Sequence, residues 1–260
     1  MDGLASGGRL WRAGCGGQMA VGHLKAVQDR ASWSVLIVCT GNICRSPVAE
    51  RLAVAGLTRL MARVGLREPL ARAAAVSSAG VQARVGEPMH PLASAVLDEH
   101  GVDDAGFRAR QLTTAMAERA DLVLCATRQH RADVVTLAPR AVRRSFTLRE
   151  FARLADWALA DGRLASLEPE VGIQPEHLRV AGMALTDAAA AARGMTRPSA
   201  PEHDDIADPL GGNLEAFRDC ADIIDAAVRS VETVLTSLLL PHPAAVHRGP
   251  EKINNHCSKD

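Results

Sequence analysis

Aromatic side chains are scarce in this chain of 260 residues: tyrosine is absent, and aromatic residues make up only 3% of the sequence. Hydrophobic residues nevertheless reach 47%, and alanine is especially abundant. That content is sufficient for a full core, which must be built from aliphatic side chains and alanine-rich helices. The length fits one large domain, or one domain with extensions.

The chain also lacks a net charge, because 30 basic residues are balanced by 30 acidic ones. It therefore has no overall positive field to attract nucleic acid or an anionic membrane, and neither is expected as a partner. No apolar run approaches the roughly 18 residues that a membrane-spanning helix needs.

Clusters of metal-ligating residues are missing as well. The six cysteines are scattered without ligand spacing, apart from the pair Cys39 and Cys44, and the histidines show no ligand spacing either. The sequence therefore predicts neither a metal site nor any other cofactor.

One stretch, Val35 to Pro47, combines several local signals in the run V-L-I-V-C-T-G-N-I-C-R-S-P. Its four leading apolar residues predict a buried strand of a parallel sheet. The strand ends at Cys39 and is followed by a short loop that contains Gly41. Ser46 and Pro47 then predict a helix start, with Ser46 as the N-cap and Pro47 at the first helical position.

A strand, a tight loop and a helix N-terminus form an anion site, because backbone N–H groups point into the loop and the helix dipole adds positive charge. Arg45 contributes a charged fork that can bind two phosphate oxygens at once. Cys39 lies at the start of this positive concavity, which stabilises a thiolate. A thiolate beneath a phosphate-sized cradle indicates phosphoryl transfer through a phosphocysteine.

The nine residues from Cys39 to Pro47 resemble the active-site loop of the low-molecular-weight protein tyrosine phosphatase family, and C-x5-R-S is the signature of cysteine-based phosphatases. The resemblance covers roughly residues 34–155 and 204–240. It implies a phosphatase that hydrolyses phosphotyrosine-type aryl phosphate monoesters in the reducing cytoplasm. The implied partners are a phosphotyrosine-containing protein or an aryl phosphate, together with a cognate tyrosine kinase.

The resemblance also assigns roles within the loop. It implies that Cys39 is the nucleophile, that Arg45 binds the phosphate, and that the Ser46 hydroxyl donates to the Cys39 sulfur. Asn42 is expected to hold the loop in shape with a left-handed backbone. In relatives that remove phosphate from arginine, a threonine stands where this chain has Ile43. The residues expected to bind phosphate or substrate are Thr40, Gly41, Asn42, Ile43, Cys44, Ser46 and Leu210.

Three segments elsewhere extend the resemblance. Ser78 matches a serine that hydrogen-bonds the loop asparagine, and is expected to support the loop. Asp208, in an Asp-Pro pair before the last helix, matches the catalytic acid, and Leu210 replaces the aromatic residue that normally forms one wall of the pocket. Phe107 replaces a histidine of the loop-supporting network, so that support is expected to be weakened.

Strands alternating with helices, together with the resemblance, predict an α/β three-layer sandwich with a four-stranded parallel sheet flanked by helices. The expected domain covers 33–240, with a helical insertion at 156–204, before the last helix. A helix near 183–193 is expected over the active-site side, as padding or as a lid. Residues 1–32, with Met19 as an alternative start, and 241–260 are expected to be flexible extensions.

Two alternatives to a phosphatase remain open from the sequence. Arsenate reductase chemistry on the same scaffold would need further cysteines to relay a disulfide, and Cys125 is available. A catalytically weak phosphate-binding or interaction protein is suggested by Phe107, Leu210 and the long insertion.

Overall fold

The computed structural model describes residues 32–167 and 172–240. All but the last residue of the extension expected at 1–32, and the whole extension expected at 241–260, therefore lie outside the described residues. The strands of the described ranges form one four-stranded sheet in the order β2-β1-β3-β4, and all neighbours are parallel. The strands are β1 Trp33–Cys39, β2 Ala74–Gly80, β3 Leu122–Cys125 and β4 Ser145–Thr147.

Helices connect and cover the strands, which confirms the predicted α/β fold. They are α1 Arg45–Arg63, α2 Leu70–Ala73, α3 Pro91–Glu99, α4 Thr114–Arg119, α5 Arg128–Leu137, α6 Leu148–Ala160, α7 Pro175–Ala192 and α8 Leu214–Leu239. In the described ranges, no helix is both long enough and apolar enough to cross a membrane.

Alternation along β1 divides the core into two layers, because successive side chains of a strand point to opposite faces. Trp33, Val35 and Ile37 join the larger core, which also contains buried residues of α1, α3, α6, α7 and α8. Leu36 and Val38 join a smaller core on the other face, beneath α4 and α5. The sheet is therefore sandwiched between helices, as a fully buried parallel strand requires.

The predicted start of the first helix is wrong by two residues. Helix α1 begins at Arg45 with Cys44 at the N-cap position, and no side chain caps it. The Ser46 hydroxyl is instead hydrogen-bonded to Asn42 and lies beside the Cys39 sulfur. Pro47 is still compatible with the first helical turn, where no partner exists for its missing N–H.

The helix expected near 183–193 does not lie over the active-site side. The observed helix, α7, is longer than predicted and packs at the amino ends of the strands, opposite Cys39. A side chain on Gly182 would place its Cβ only 2.4 Å from the indole of Trp33, the first residue of β1. Arg179 pairs with Asp121, just before β3, across 3.3 Å. Because its apolar face is buried in the main core, this helix is neither a lid nor surface padding.

Candidate active site

The predicted nucleophile lies at the carboxyl edge of the sheet, where open α/β sheets bind ligands. Cys39 is the last residue of β1 and is 2% exposed. Its Sγ lies 2.9 Å from Ser46 Oγ, and that oxygen accepts a hydrogen bond from Asn42 Nδ2 at 2.9 Å. The hydroxyl proton of Ser46 is therefore free to point at the sulfur.

Asn42 holds the loop from behind. With φ of 54°, it is the one non-glycine residue of 32–167 and 172–240 in the left-handed region, which asparagine tolerates better than most residues. Its Nδ2 also donates to Ser78 Oγ at 2.8 Å, and its Oδ1 accepts from the backbone N–H of Arg110 at 2.8 Å. Ser78 in turn donates to the buried carboxylate of Glu50 at 2.6 Å. A continuous hydrogen-bonded chain therefore fixes the loop.

Two side chains predicted to bind phosphate or substrate are not among those that line the cavity beside Cys39. Asn42 and Ser46 are fully or almost fully buried, and their side chains support the loop. Ser78, which was expected to support the loop, lies where its hydroxyl contacts Asn42. Glu50, which completes the chain, was missed by sequence reasoning, because nothing local distinguishes it from an exposed helix glutamate.

Phe107 does not interrupt this network. Its side chain is buried in the larger core, whereas the polar partners of Asn42 are Ser46, Ser78 and the backbone of Arg110. The weakened loop support expected from Phe107 is therefore not visible in the hydrogen bonds around Asn42.

Gly80, at the end of β2, has to be glycine because the loop passes directly over it. A Cβ at this position would lie 2.3 Å from the carbonyl oxygen of Thr40 and 3.0 Å from the backbone nitrogen of Asn42. Both contacts involve backbone atoms, which cannot move aside without displacing the loop. A glycine at a strand end was the only signal in the sequence.

The guanidinium of Arg45 is buried and lies between the nucleophile loop and a distant segment. It donates to Ile206 O at 3.3 Å, to Thr40 Oγ1 at 3.3 Å and to Asp208 Oδ2 at 2.6 Å. Among the described residues its buried Nε has no hydrogen-bond partner. An unpaired buried donor is costly unless a ligand satisfies it, so this atom is well suited to bind a phosphate oxygen.

Asp208 therefore reaches the cavity from a loop far away in the sequence. The loop is attached to the sheet through the backbone bond from Ile206 N to Ala126 O, at 2.8 Å. The Asp208 side chain remains 45% exposed, so it can contact an entering substrate. The structure thus brings Cys39, Arg45 and Asp208, the three predicted catalytic residues, to one place.

The site is a cavity of about 230 Å³. Ile43 and Leu210 provide apolar walls, and Leu210 is 44% exposed. Gln82 and Arg84, in the loop that follows β2, also line the cavity and were not found from the sequence. Their position directly after a predicted strand was the available signal, because the loops after parallel strands meet at the carboxyl edge of a sheet. The cavity is lined by Cys39, Thr40, Gly41, Ile43, Cys44, Arg45, Gln82, Arg84, Asp208 and Leu210.

The second cysteine of the loop differs from the first. Burial raises the pKa of Cys44 to about 12, and the negative charges of Asp208 and Cys39 add to the effect. Cys44 is therefore a thiol at neutral pH. Cys125, which a disulfide relay would need, is completely buried in β3, and burial raises its pKa strongly.

His130, on α5, is a further residue of the site that sequence reasoning missed. Its Nε2 lies 2.8 Å from Thr40 Oγ1, and its Nδ1 lies 2.8 Å from Thr127 Oγ1. Burial lowers the pKa of His130, and the positive charge of Arg45 lowers it further. The imidazole is thus neutral at physiological pH and acts through hydrogen bonds. It lies 90 positions from Thr40, so no local pattern indicates the contact.

The sequence model of the low molecular weight phosphotyrosine protein phosphatase family matches residues 34–166, just over half of the chain. The chain belongs to this family. It is 42% identical over 106 residues to "Low molecular weight protein-tyrosine-phosphatase Etp" of Escherichia coli (strain K12), a match that covers 41% of this chain and 62% of the relative. The aligned part is thus less than two thirds of that relative's own length.

Two solved structures of the same fold are similar to it. The arginine phosphatase YwlE from Geobacillus stearothermophilus has a TM-score of 0.51 at 26% identity, with 77% of this chain and 91% of the other covered. The low molecular weight protein tyrosine phosphatase from T. tengcongensis has a TM-score of 0.50 at 26% identity, with 76% and 97% covered. The family match ends at residue 166, well before Asp208, so the assignment of the acid depends on its geometry.

Proposed function

We propose that this phosphatase hydrolyses phosphotyrosine-type aryl phosphate monoesters through a phosphocysteine formed on Cys39. The observation that carries the proposal is the convergence of Cys39, Arg45 and Asp208 on one cavity with apolar walls. A thiolate, a phosphate-binding arginine and a carboxyl group are the parts that a two-step phosphoryl transfer needs. No structural observation favours arsenate reduction, because Cys125 is inaccessible inside the sheet.

In the first step, the Cys39 thiolate attacks phosphorus in line with the leaving oxygen. The S–P bond forms as the P–O bond to the phenolate breaks. Arg45 and the backbone N–H groups of the loop stabilise the charge on the three equatorial oxygens. Asp208 gives its proton to the phenolate oxygen as it departs.

The ion pair between Arg45 and Asp208 prepares that proton transfer. An entering phosphate dianion competes with Asp208 for the guanidinium and also satisfies the unpaired Nε. Once the phosphate takes over the guanidinium, the Asp208 carboxyl group is released to face the leaving oxygen. In its protonated form it can then donate to that oxygen.

In the second step, Asp208 accepts a proton from a water molecule that attacks the phosphocysteine. The S–P bond breaks, inorganic phosphate forms and Cys39 leaves as a thiolate. The Ser46 hydroxyl, 2.9 Å from Sγ, stabilises the sulfur as negative charge returns to it.

Turnover on matched peptides tests the substrate class. We expect a phosphotyrosine peptide to be hydrolysed with a far higher kcat/KM than the same peptide carrying phosphoserine or phosphoarginine, because Ile43 and Leu210 contact a phenyl ring better than an aliphatic chain. Phosphate release from the three peptides measures the preference. A phosphoarginine peptide hydrolysed as efficiently as the phosphotyrosine peptide would contradict the proposal.

The wall formed by Leu210 gives a second prediction. Leucine offers apolar contact but no ring stacking, which contributes about 0.5–1.5 kcal/mol beyond burial. We expect Leu210→Tyr to lower KM for phosphotyrosine peptides several-fold and to leave kcat largely unchanged. Val180→Tyr is the matched control, since Val180 is 48% exposed on α7, away from the cavity. An equal KM change in both variants would show that Leu210 is not a substrate wall.

A further inference from the structure

The first turn of α5 contacts both catalytic loops. On one side, His130 Nε2 lies 2.8 Å from Thr40 Oγ1 in the nucleophile loop. The same Thr40 oxygen accepts a hydrogen bond from Arg45 Nη2 at 3.3 Å. The opposite ring nitrogen of His130 is bonded to Thr127, the N-cap residue of α5. The helix therefore reaches the phosphate-binding arginine through one intervening hydroxyl.

On the other side, Arg128 holds the acid loop. Its backbone N–H donates to Asp205 Oδ1 at 2.7 Å, and its guanidinium donates to Asp205 Oδ2 from Nε at 3.2 Å and from Nη2 at 3.0 Å. Asp205 precedes the proposed acid, Asp208, by three positions. A carboxylate at a helix N-terminus is favoured by the dipole as well as by these bonds.

We propose that His130 and the Arg128–Asp205 pair are positioning residues, which use the first turn of α5 to hold the nucleophile loop and the acid loop at a fixed separation. The proposal rests on the proposed function, because it takes Cys39 as the nucleophile and Asp208 as the acid. His130 positions Arg45 through Thr40. Asp205 positions Asp208 through the short backbone segment between them.

Loss of the ion pair between Arg128 and Asp205 is expected to change the catalytic rate more than the free energy of unfolding. The Arg128 side chain is 49% exposed, and exposed ion pairs contribute little to the free energy of unfolding. The distance between an acid and a leaving oxygen, in contrast, affects the rate steeply. Loss of the pair should therefore change catalysis more than thermal stability.

The two contacts also predict different kinetic signatures. Every substrate needs Arg45, so loss of His130 should slow all aryl phosphates alike. Only a substrate with a poor leaving group needs the acid, so loss of Asp205 should slow phenyl phosphate more than para-nitrophenyl phosphate. A merely structural role would not separate the two substrates in this way.

The test compares kcat/KM on these two substrates for Asp205→Ala and Arg128→Gln. We expect phenyl phosphate to lose about tenfold more than para-nitrophenyl phosphate in each variant. The double variant should lose no more than either single one, because both changes remove the same interaction. Glu99→Ala is the control, since Glu99 forms a similar exposed two-pronged pair with Arg218. It should lower thermal stability to a similar extent and leave the substrate ratio unchanged.

For the second contact, His130→Ala should lower kcat/KM equally on both substrates, and His130→Gln should recover most of the loss because its amide can still bond Thr40 Oγ1. Thermal melts and circular dichroism establish that each variant is folded. Asp205→Ala with the substrate ratio of the wild type, or His130→Gln as impaired as His130→Ala, would overturn the proposal. If the proposed function itself were wrong, Asp208→Asn would also leave the ratio of the two substrates unchanged. If only the positioning proposal were wrong, Asp208→Asn would still change that ratio.

Discussion

Replacing Cys39 by serine should abolish turnover while the protein keeps its fold. A serine hydroxyl is barely ionised at neutral pH and cannot replace the thiolate as nucleophile, so we expect a loss on the order of 10⁴-fold or more, as for other removed nucleophiles. The smaller side chain fits the buried position beside Ser46 without a clash. Hydrolysis of para-nitrophenyl phosphate and a thermal melt measure the two effects.

Cys44→Ser is the matched control, since it changes a cysteine of the same loop that burial keeps as a thiol. It should retain most of the activity. Arg45→Lys should be nearly as damaging as Cys39→Ser, because an ammonium cannot replace both the donor to Asp208 and the unpaired Nε that is proposed to bind the phosphate. Rates like those of the wild type in Cys39→Ser would rule out a phosphocysteine.

The nucleophile loop could be predicted from the sequence because its residues are contiguous. The strand that ends at Cys39, the loop asparagine Asn42 and the helix after it all depend on signals within a few positions. The α/β alternation likewise depends on local periodicity. The misplaced N-cap shows the limit of such signals. Ser46 has the right type for a cap, but its hydroxyl is used by Asn42 and Cys39.

Contacts between distant residues could not be predicted in the same way. His130 and Thr40 lie 90 positions apart, and Arg128 and Asp205 lie 77 apart. Nothing in the local pattern of either segment specifies its partner. The location of α7 is also a tertiary property, set by the packing of Gly182 against Trp33 and by the pairing of Arg179 with Asp121. An alanine-rich helix has a recognisable period, but its period does not tell which end of the sheet it covers.

Asp208→Asn should separate substrates by their leaving groups. Phenolate is a poor leaving group that needs protonation, whereas para-nitrophenolate departs with little help. We therefore expect kcat/KM for phenyl phosphate to fall by about 10²–10³-fold, within the usual range for a general acid, and that for para-nitrophenyl phosphate to change little. Paired assays on the two substrates measure the ratio directly.

The neighbouring acids provide the comparison for this prediction. Asp204 pairs with Arg153 at 2.9 Å and Asp205 with Arg128 at 3.0 Å, and neither carboxylate lines the cavity. Asp204→Asn should leave the substrate ratio unchanged. Asp205→Ala should change it less than Asp208→Asn does. Equal losses on both substrates in Asp208→Asn would show that another group protonates the leaving oxygen.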